Sequence, residues 1–225
     1  MKIAFISDIH GNYEALSAVL AQIDKFDIKR VFCAGDVVGY YSQVNECCDE
    51  LRNRGILSVM GNHDWYMASG GWCLRSKSVN ECLVYQRSVI SDDNLAWLKT
   101  FPIQMNIGGV RVVHGGWSDP IDEYLNPTEV YFERIEGRYF LTGHTHIQVV
   151  QRFGDKVYCN PGSVGQPRDG DHRAAFAVFD SGDFELHRVE YDMQKVFKRM
   201  DDAGFNEYYY GGLKKGARNL RKLAD

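Results

Sequence analysis

Gly61-Asn62-His63-Asp64 follows the apolar run at residues 56–60 without a break, and this junction decides how the chain reads. A strand that ends in three polar side chains presents them from a rigid base, and in open α/β sheets ligands bind outside the carboxyl ends of the strands. Four more apolar runs end in the same way. Residues 3–6 lead into Asp8-x-His10, 31–34 into Gly35-Asp36, 110–113 into His114, and 139–141 into Gly143-His144-Thr145-His146. Together these ends offer Asp8, His10, Asp36, Asn62, His63, Asp64, His114, His144 and His146, a set of imidazoles and carboxylates with one amide. Nitrogen and oxygen donors without a thiolate are the chemistry of a metal site.

Working outward, residues 2–7 form an unbroken apolar run, the pattern of a strand covered on both faces. Asn12 can cap a helix that carries Ala15, Leu16, Val19, Leu20 and Ile23 on one side. Residues 30–34 predict the next strand, 45–54 a helix closed by Gly55, and 56–60 the third strand, so the first 60 residues read β-α-β-α-β. Residues 65–100 are less regular. They hold Trp65, Tyr66, Trp72 and Gly70-Gly71, then helical patterns near 79–90 and 94–100, the second opened by Ser91, and are expected to be a helical insertion beside the site. From residue 103 strands dominate, with hairpins predicted around Gly108-Gly109, Gly154-Asp155 and Ser181-Gly182-Asp183, a short helix at 127–135 and a strand at 139–142. A last helix near 192–200 presents Met193, Val196, Phe197 and Met200 to the core, and about 205–225 reads as a basic tail, solvated or a short helix. An α/β half followed without a linker by a β-rich half predicts a single α/β (α+β) domain over 1–225: two mixed sheets packed face to face, with helices on both outer sides.

Composition narrows the function. The 225 residues carry 26 Lys and Arg against 30 Asp and Glu, a net charge of −4 that gives no field to hold a polyanion, so a nucleic-acid partner is disfavoured. No apolar run approaches the roughly 20 residues of a membrane span, and Asp8 arrives too soon for a signal peptide, so the expected location is cytoplasmic. The six cysteines form no C-x-x-C pair, which points to buried reduced thiols in place of a zinc ribbon or disulfide framework.

Singly, a D-x-H or a strand histidine is weak evidence; the order D-x-H, G-D, G-N-H-D, H, G-H-T-H in one chain is not. That order resembles the calcineurin-like metallophosphoesterases. The stretches 35–40, 45–47 and 160–168 are similar to the small bacterial and archaeal branch that includes simple phosphodiesterases and diadenosine polyphosphate hydrolases. The resemblance covers nearly the whole chain, ending in the 190s, and implies an αββα metallophosphoesterase sandwich. It further implies one metal on Asp8, His10 and His146, a second on Asn62, His114 and His144, and Asp36 between them, the ions being Mn²⁺, Fe or Zn²⁺. The implied reaction is hydrolysis of a phosphomonoester or phosphodiester by a metal-bridging hydroxide, with a small phosphoester, nucleotide or dinucleotide polyphosphate as substrate. In that scheme His63 serves the leaving group and Asp64 orients its ring. Where the branch usually has Gly-Pro-x-Pro, this chain has Tyr41-Ser42-Gln43-Val44, and losing two prolines is expected to loosen that loop. Arg168 is a candidate phosphate ligand or a solvated loop residue, and Trp72 is a candidate base-stacking wall or a core ring. Two other readings are a non-catalytic protein-binding module on the same fold, whose signature would be missing ligands, and a nuclease, against which the acidic balance argues.

Overall fold

Alternation along the first strand sets the layering in the computed structural model, which describes residues 2–218. In β1 (Ile3–Ile6) all four residues are buried, which requires an apolar side chain at every position. Ile3 and Phe5 pack with Ala34, Val59, Val110, Val112 and Leu141, side chains drawn from both sheets. Ala4 and Ile6 face the opposite way, against α1 (Tyr13–Lys25) and α2 (Val44–Asn53), through Leu16, Val19, Leu20, Cys47, Cys48 and Leu51.

The first sheet continues from β1 through β2 (Val31–Cys33) to β3 (Leu57–Ser58) in parallel, and on its other side pairs antiparallel with β9 (Ala174–Asp180), then β10 (Asp183–Val189). The second sheet has at its centre the parallel trio β5 (Val110–Val113), β6 (Tyr139–Leu141) and β8 (Lys156–Asn160). Antiparallel hairpin partners β4 (Gln104–Ile107) and β7 (Val149–Phe153) form its edges. Its outer face is covered by Trp117, Leu125 and Phe132 packed on Phe140 and Tyr158, with Phe132 belonging to α6 (Glu129–Glu133). Two mixed five-stranded sheets between helical layers are the architecture expected from the sequence.

Three segments differ from expectation. β3 is two residues long, because the chain leaves the sheet and the Met60 N–H bonds to the Pro102 carbonyl at 2.8 Å. Asn62, His63 and Asp64 therefore do not end a strand; they open α3 (Asn62–Ser69), which starts here because the Asp64 carboxylate accepts the Gly61 N–H at 3.0 Å, the return bond of a capping box. α4 (Lys77–Val89) begins at Ser76, whose hydroxyl accepts the Val79 N–H, and α5 (Asp92–Leu98) begins at the predicted cap Ser91. After α7 (Met193–Asp202), the expected basic tail is packed as far as it is described. α8 (Glu207–Tyr210) and a 3₁₀ turn (Gly211–Lys215) bury Tyr210 and Leu213 against Val196, Phe197 and Met200. Arg221 and Lys222 lie outside the described residues.

Candidate metal centre

The carboxyl ends of β1, β2, β5 and β6 meet where the two sheets face each other, and β3 feeds α3 into the same point. The backbone there is strained. Of the eight non-glycine residues with positive φ among the described residues, six are Asp8, His10, Asp36, Tyr40, His144 and His146, with φ between 41° and 65°. Each such residue costs on the order of 1–3 kcal/mol, and such strain collects at functional sites. Close approach adds to it: a Cβ on Gly61 would lie 2.2 Å from Asp36 Oδ1, and one on Gly39 2.3 Å from His63 Nδ1.

Three imidazoles are anchored at one nitrogen and aimed by the other. The Nδ1–H of His10, His114 and His146 donates to the carbonyls of Val38 (2.9 Å), Ala34 (2.7 Å) and Gln166 (2.6 Å). This fixes the tautomer and leaves each Nε2 lone pair pointing inward, the outer-sphere arrangement of metal-binding histidines. Nε2 of His10 and Nε2 of His146 are 3.1 Å apart, with Asp8 Oδ1 3.9 Å and 3.3 Å from them. In the second cluster His114 Nε2 lies 3.3 Å from Asn62 Oδ1, and His144 presents Nδ1 at 3.0 Å from that oxygen and 3.2 Å from His114. One atom joins the clusters: Asp36 Oδ2 is 3.6 Å from His10 Nε2 and 3.3 Å from His114 Nε2.

Ligand atoms converge in the groups Asp8–His10–His146, Asp36–His114–His144 and His10–Asp36–His63, each within 4.8 Å and fully buried. Converging nitrogen and oxygen donor atoms fit cations, and imidazole plus carboxylate fits the Mn, Fe and Zn class. His144 turns Nδ1 to the cluster, and its Nε2 lies 3.6 Å from Asp122 Oδ1.

Burial holds His10 well below the usual histidine range, lowers His146 and takes His144 to about 2, so these rings are the neutral form that ligates metals; burial also takes His63 down, to about 4. Burial acts on His114 in the same sense, but the Asp36 carboxylate beside it outweighs burial and raises it to about 10. For Asp36 burial would raise the pKa, and the imidazoles of His114 and His63 outweigh it and hold the group well below the carboxylate range. Asp8 is lowered in the same way by His146.

Asp64 does not orient the His63 ring. Its carboxylate accepts the backbone N–H groups of Asp36 (2.8 Å), Val37 (2.9 Å), Val38 (3.2 Å) and Gly61, which ties the loop carrying Asp36 to the start of α3. Burial and then Asp36 push its pKa up, to about 7, against these donors. Asp64→Leu should strand four buried donors and lower unfolding stability by about 3 kcal/mol or more, measured by denaturant titration of the chelated protein. His63 packs edge-on to His10 (4.8 Å) and beside Tyr40 (4.9 Å), its Nδ1 unpartnered against Gly39.

The loop that lost its prolines is pinned from outside. Gln86 of α4, fully buried, donates to the carbonyls of Gly39 (2.7 Å) and Tyr41 (2.5 Å) and accepts the Gly39 N–H (2.8 Å). Those bonds do the work expected of proline. The 160–168 stretch has a structural role that sequence reading missed: Ser163 and Gly165 bond to the Asp8 carbonyl (2.7 and 3.0 Å), Asn12 bonds to Gly165, and Gln166 holds His146. Arg168 donates to the Tyr40 hydroxyl at 2.9 Å, and its charge lowers the pKa of His63 and His146, which places it beside the first cluster. Trp72 is elsewhere. Its ring is 52% exposed, stacked under the Arg87 guanidinium, and the rings lining the cleft over the site are Tyr40, Tyr124 and Tyr208. All six cysteines are free and buried.

An αββα sandwich with two histidine and carboxylate clusters at its strand ends is the architecture of a metallophosphoesterase. Residues 1–183 match the calcineurin-like phosphoesterase superfamily domain. An uncharacterized protein of Methanocaldococcus jannaschii, MJ0912, is 39% identical over 221 residues, covering 88% of this chain and 91% of its own. A metallophosphoesterase structure from Sphaerobacter thermophilus shares 31% identity and a TM-score of 0.85 over 96% of this chain and 99% of its own. Hypothetical protein PH1004 from Pyrococcus horikoshii has the same fold, with a TM-score of 0.85 at 20% identity over 96% of this chain and 99% of its own. The chain belongs to the calcineurin-like phosphoesterase superfamily and is a metal-dependent phosphoric ester hydrolase. Among the described residues no helix is long and apolar enough to cross a membrane.

Proposed function

We propose that the protein is a dinuclear phosphomono- or phosphodiesterase whose substrate is a nucleotide or dinucleotide polyphosphate. The observation that carries this reading is the shared Asp36 oxygen between two clusters of inward lone pairs. Asp8, His10 and His146 would hold one cation, Asn62, His114 and His144 the other, and Asp36 both. Bound there, Mn²⁺, Fe or Zn²⁺ would supply Lewis acidity toward a phosphoryl oxygen and lower the pKa of water enough to provide hydroxide near neutral pH. The chain's own groups do the rest. Backbone carbonyls keep the imidazoles in ligand tautomer, Asp64 holds the Asp36 loop, and His63 is placed to give a proton or hydrogen bond to the departing oxygen. Arg168, whose guanidinium also holds Gln166 Oε1 and the Tyr40 hydroxyl, can donate to a nonbridging phosphate oxygen.

The test is elemental analysis of purified protein, followed by chelation, reconstitution with each metal and assay on phosphoesters and nucleotides. About two metals per chain and metal-restored hydrolysis with preference for nucleotides are expected. One metal at saturation would overturn the dinuclear reading, and equal rates on nucleotides and simple phosphates the substrate reading.

A further inference from the structure

Resting on that function, we infer that residues 207–218, beyond the segment matched to the superfamily, complete the site by supplying Tyr208 and Arg218 to a leaving-group subsite. The ligand class is one that carries a planar ring and a second negative charge, a nucleoside diphosphate or longer. The cleft over the metal centre, about 480 Å³, is lined by Asn62 and His63 at its floor and by Arg75, Tyr124, Tyr208 and Arg218 above. A bare phosphate needs far less room, and small-molecule sites of roughly 300–1,000 Å³ hold larger ligands. The Tyr124 ring centre is 4.1 Å from that of His144, and the Arg218 guanidinium lies over Tyr124 at 5.9 Å, so this charge stands one ring away from the second cluster. Arg75 also lies over Tyr124, at 5.3 Å, but is paired with Asp122. Among the described residues no carboxylate pairs with Arg218, which leaves its planar fork for a ligand.

The segment is built to deliver these side chains. The Tyr209 hydroxyl donates to Glu81 of α4 at 2.5 Å, and the Tyr210 hydroxyl to Asp201 of α7 at 2.6 Å. The Gly170 N–H bonds to the Gly216 carbonyl at 3.1 Å, and a Cβ on Gly212 would sit 1.8 Å from the Arg218 carbonyl oxygen, so only glycine lets the chain turn back there. Anchors on three sides fix a solvent-edge arginine over the catalytic cleft, which a segment serving only to cover apolar surface would not require.

The test measures binding of two probes, inorganic phosphate and the non-hydrolysable α,β-methylene analogue of ADP, by calorimetry with Mn²⁺ present, in wild type, Arg218→Ala and Tyr208→Ala. The ratio of the Kd for phosphate to that for the nucleotide should fall about tenfold in Arg218→Ala, the loss expected for one charge-assisted contact. Tyr208→Ala should lower the same ratio. An unchanged ratio in both variants overturns the subsite, as does loss of both probes together with a fall in Tm, which marks a structural segment. Absence of any phosphoester turnover in wild type would defeat the functional reading separately, since the binding ratio does not depend on catalysis.

Discussion

Asp36→Asn is expected to abolish hydrolysis and to reduce bound metal at both positions. The carboxylate has two duties: Oδ2 stands between His10 and His114, and Oδ1 accepts the His63 backbone N–H at 2.8 Å. Asparagine keeps the shape and that hydrogen bond but removes the charge that would offset the repulsion between two cations held there. Asp8→Asn should affect one position more than the other, because the ring nitrogens beside the Asp8 carboxylate are those of His10 and His146, and it meets His144 only through the backbone N–H at 3.1 Å. Elemental analysis beside kcat/KM checks both variants. Undiminished metal in Asp36→Asn, with a native circular dichroism spectrum, would remove the bridging assignment.

What could be read from the chain, and what could not, divides by distance along it. The strand runs and the helix caps Asn12 and Ser91 were legible because each is decided within a few residues, by burial on both faces or by one side chain and the next turn. The nine polar residues at the site could be picked out because each lies within a few residues of the end of an apolar run. Asp64 was misread because its partners are residues 36–38, brought to it by the return of the chain through α2. Proximity in sequence misled at Trp72: its neighbours Cys73 and Arg75 line the cleft, but its own ring meets Arg87. Composition left two readings open at the C-terminus. Five basic groups after residue 210 suggested a solvated tail or a short helix; the described part is helical, and its fixing by Tyr209 to α4 and by Tyr210 to α7 rests on contacts that no local pattern encodes.

His63→Ala should slow hydrolysis of alkyl phosphate esters by about 10²–10⁴-fold, the usual contribution of a general acid, while metal content stays at the wild-type level. Two roles compete for this residue. Its ring nitrogen lies within 4.8 Å of His10 and Asp36 ligand atoms, which allows coordination, yet its ring also lines the cleft where a leaving group must depart. Its outer nitrogen distinguishes it from His10, His114 and His146: Nδ1 has no carbonyl partner to fix the tautomer, as those three rings have. A ring without that anchor is free to exchange a proton with substrate, and this favours the leaving-group role. The consequence is a dependence on the leaving group. An alkoxide departs only with a proton or a strong hydrogen bond, whereas p-nitrophenolate is stable without one, so the variant should lose far more on the alkyl ester. Equal losses on both esters would rule out acid catalysis by His63, and a drop in bound metal would instead make it a ligand.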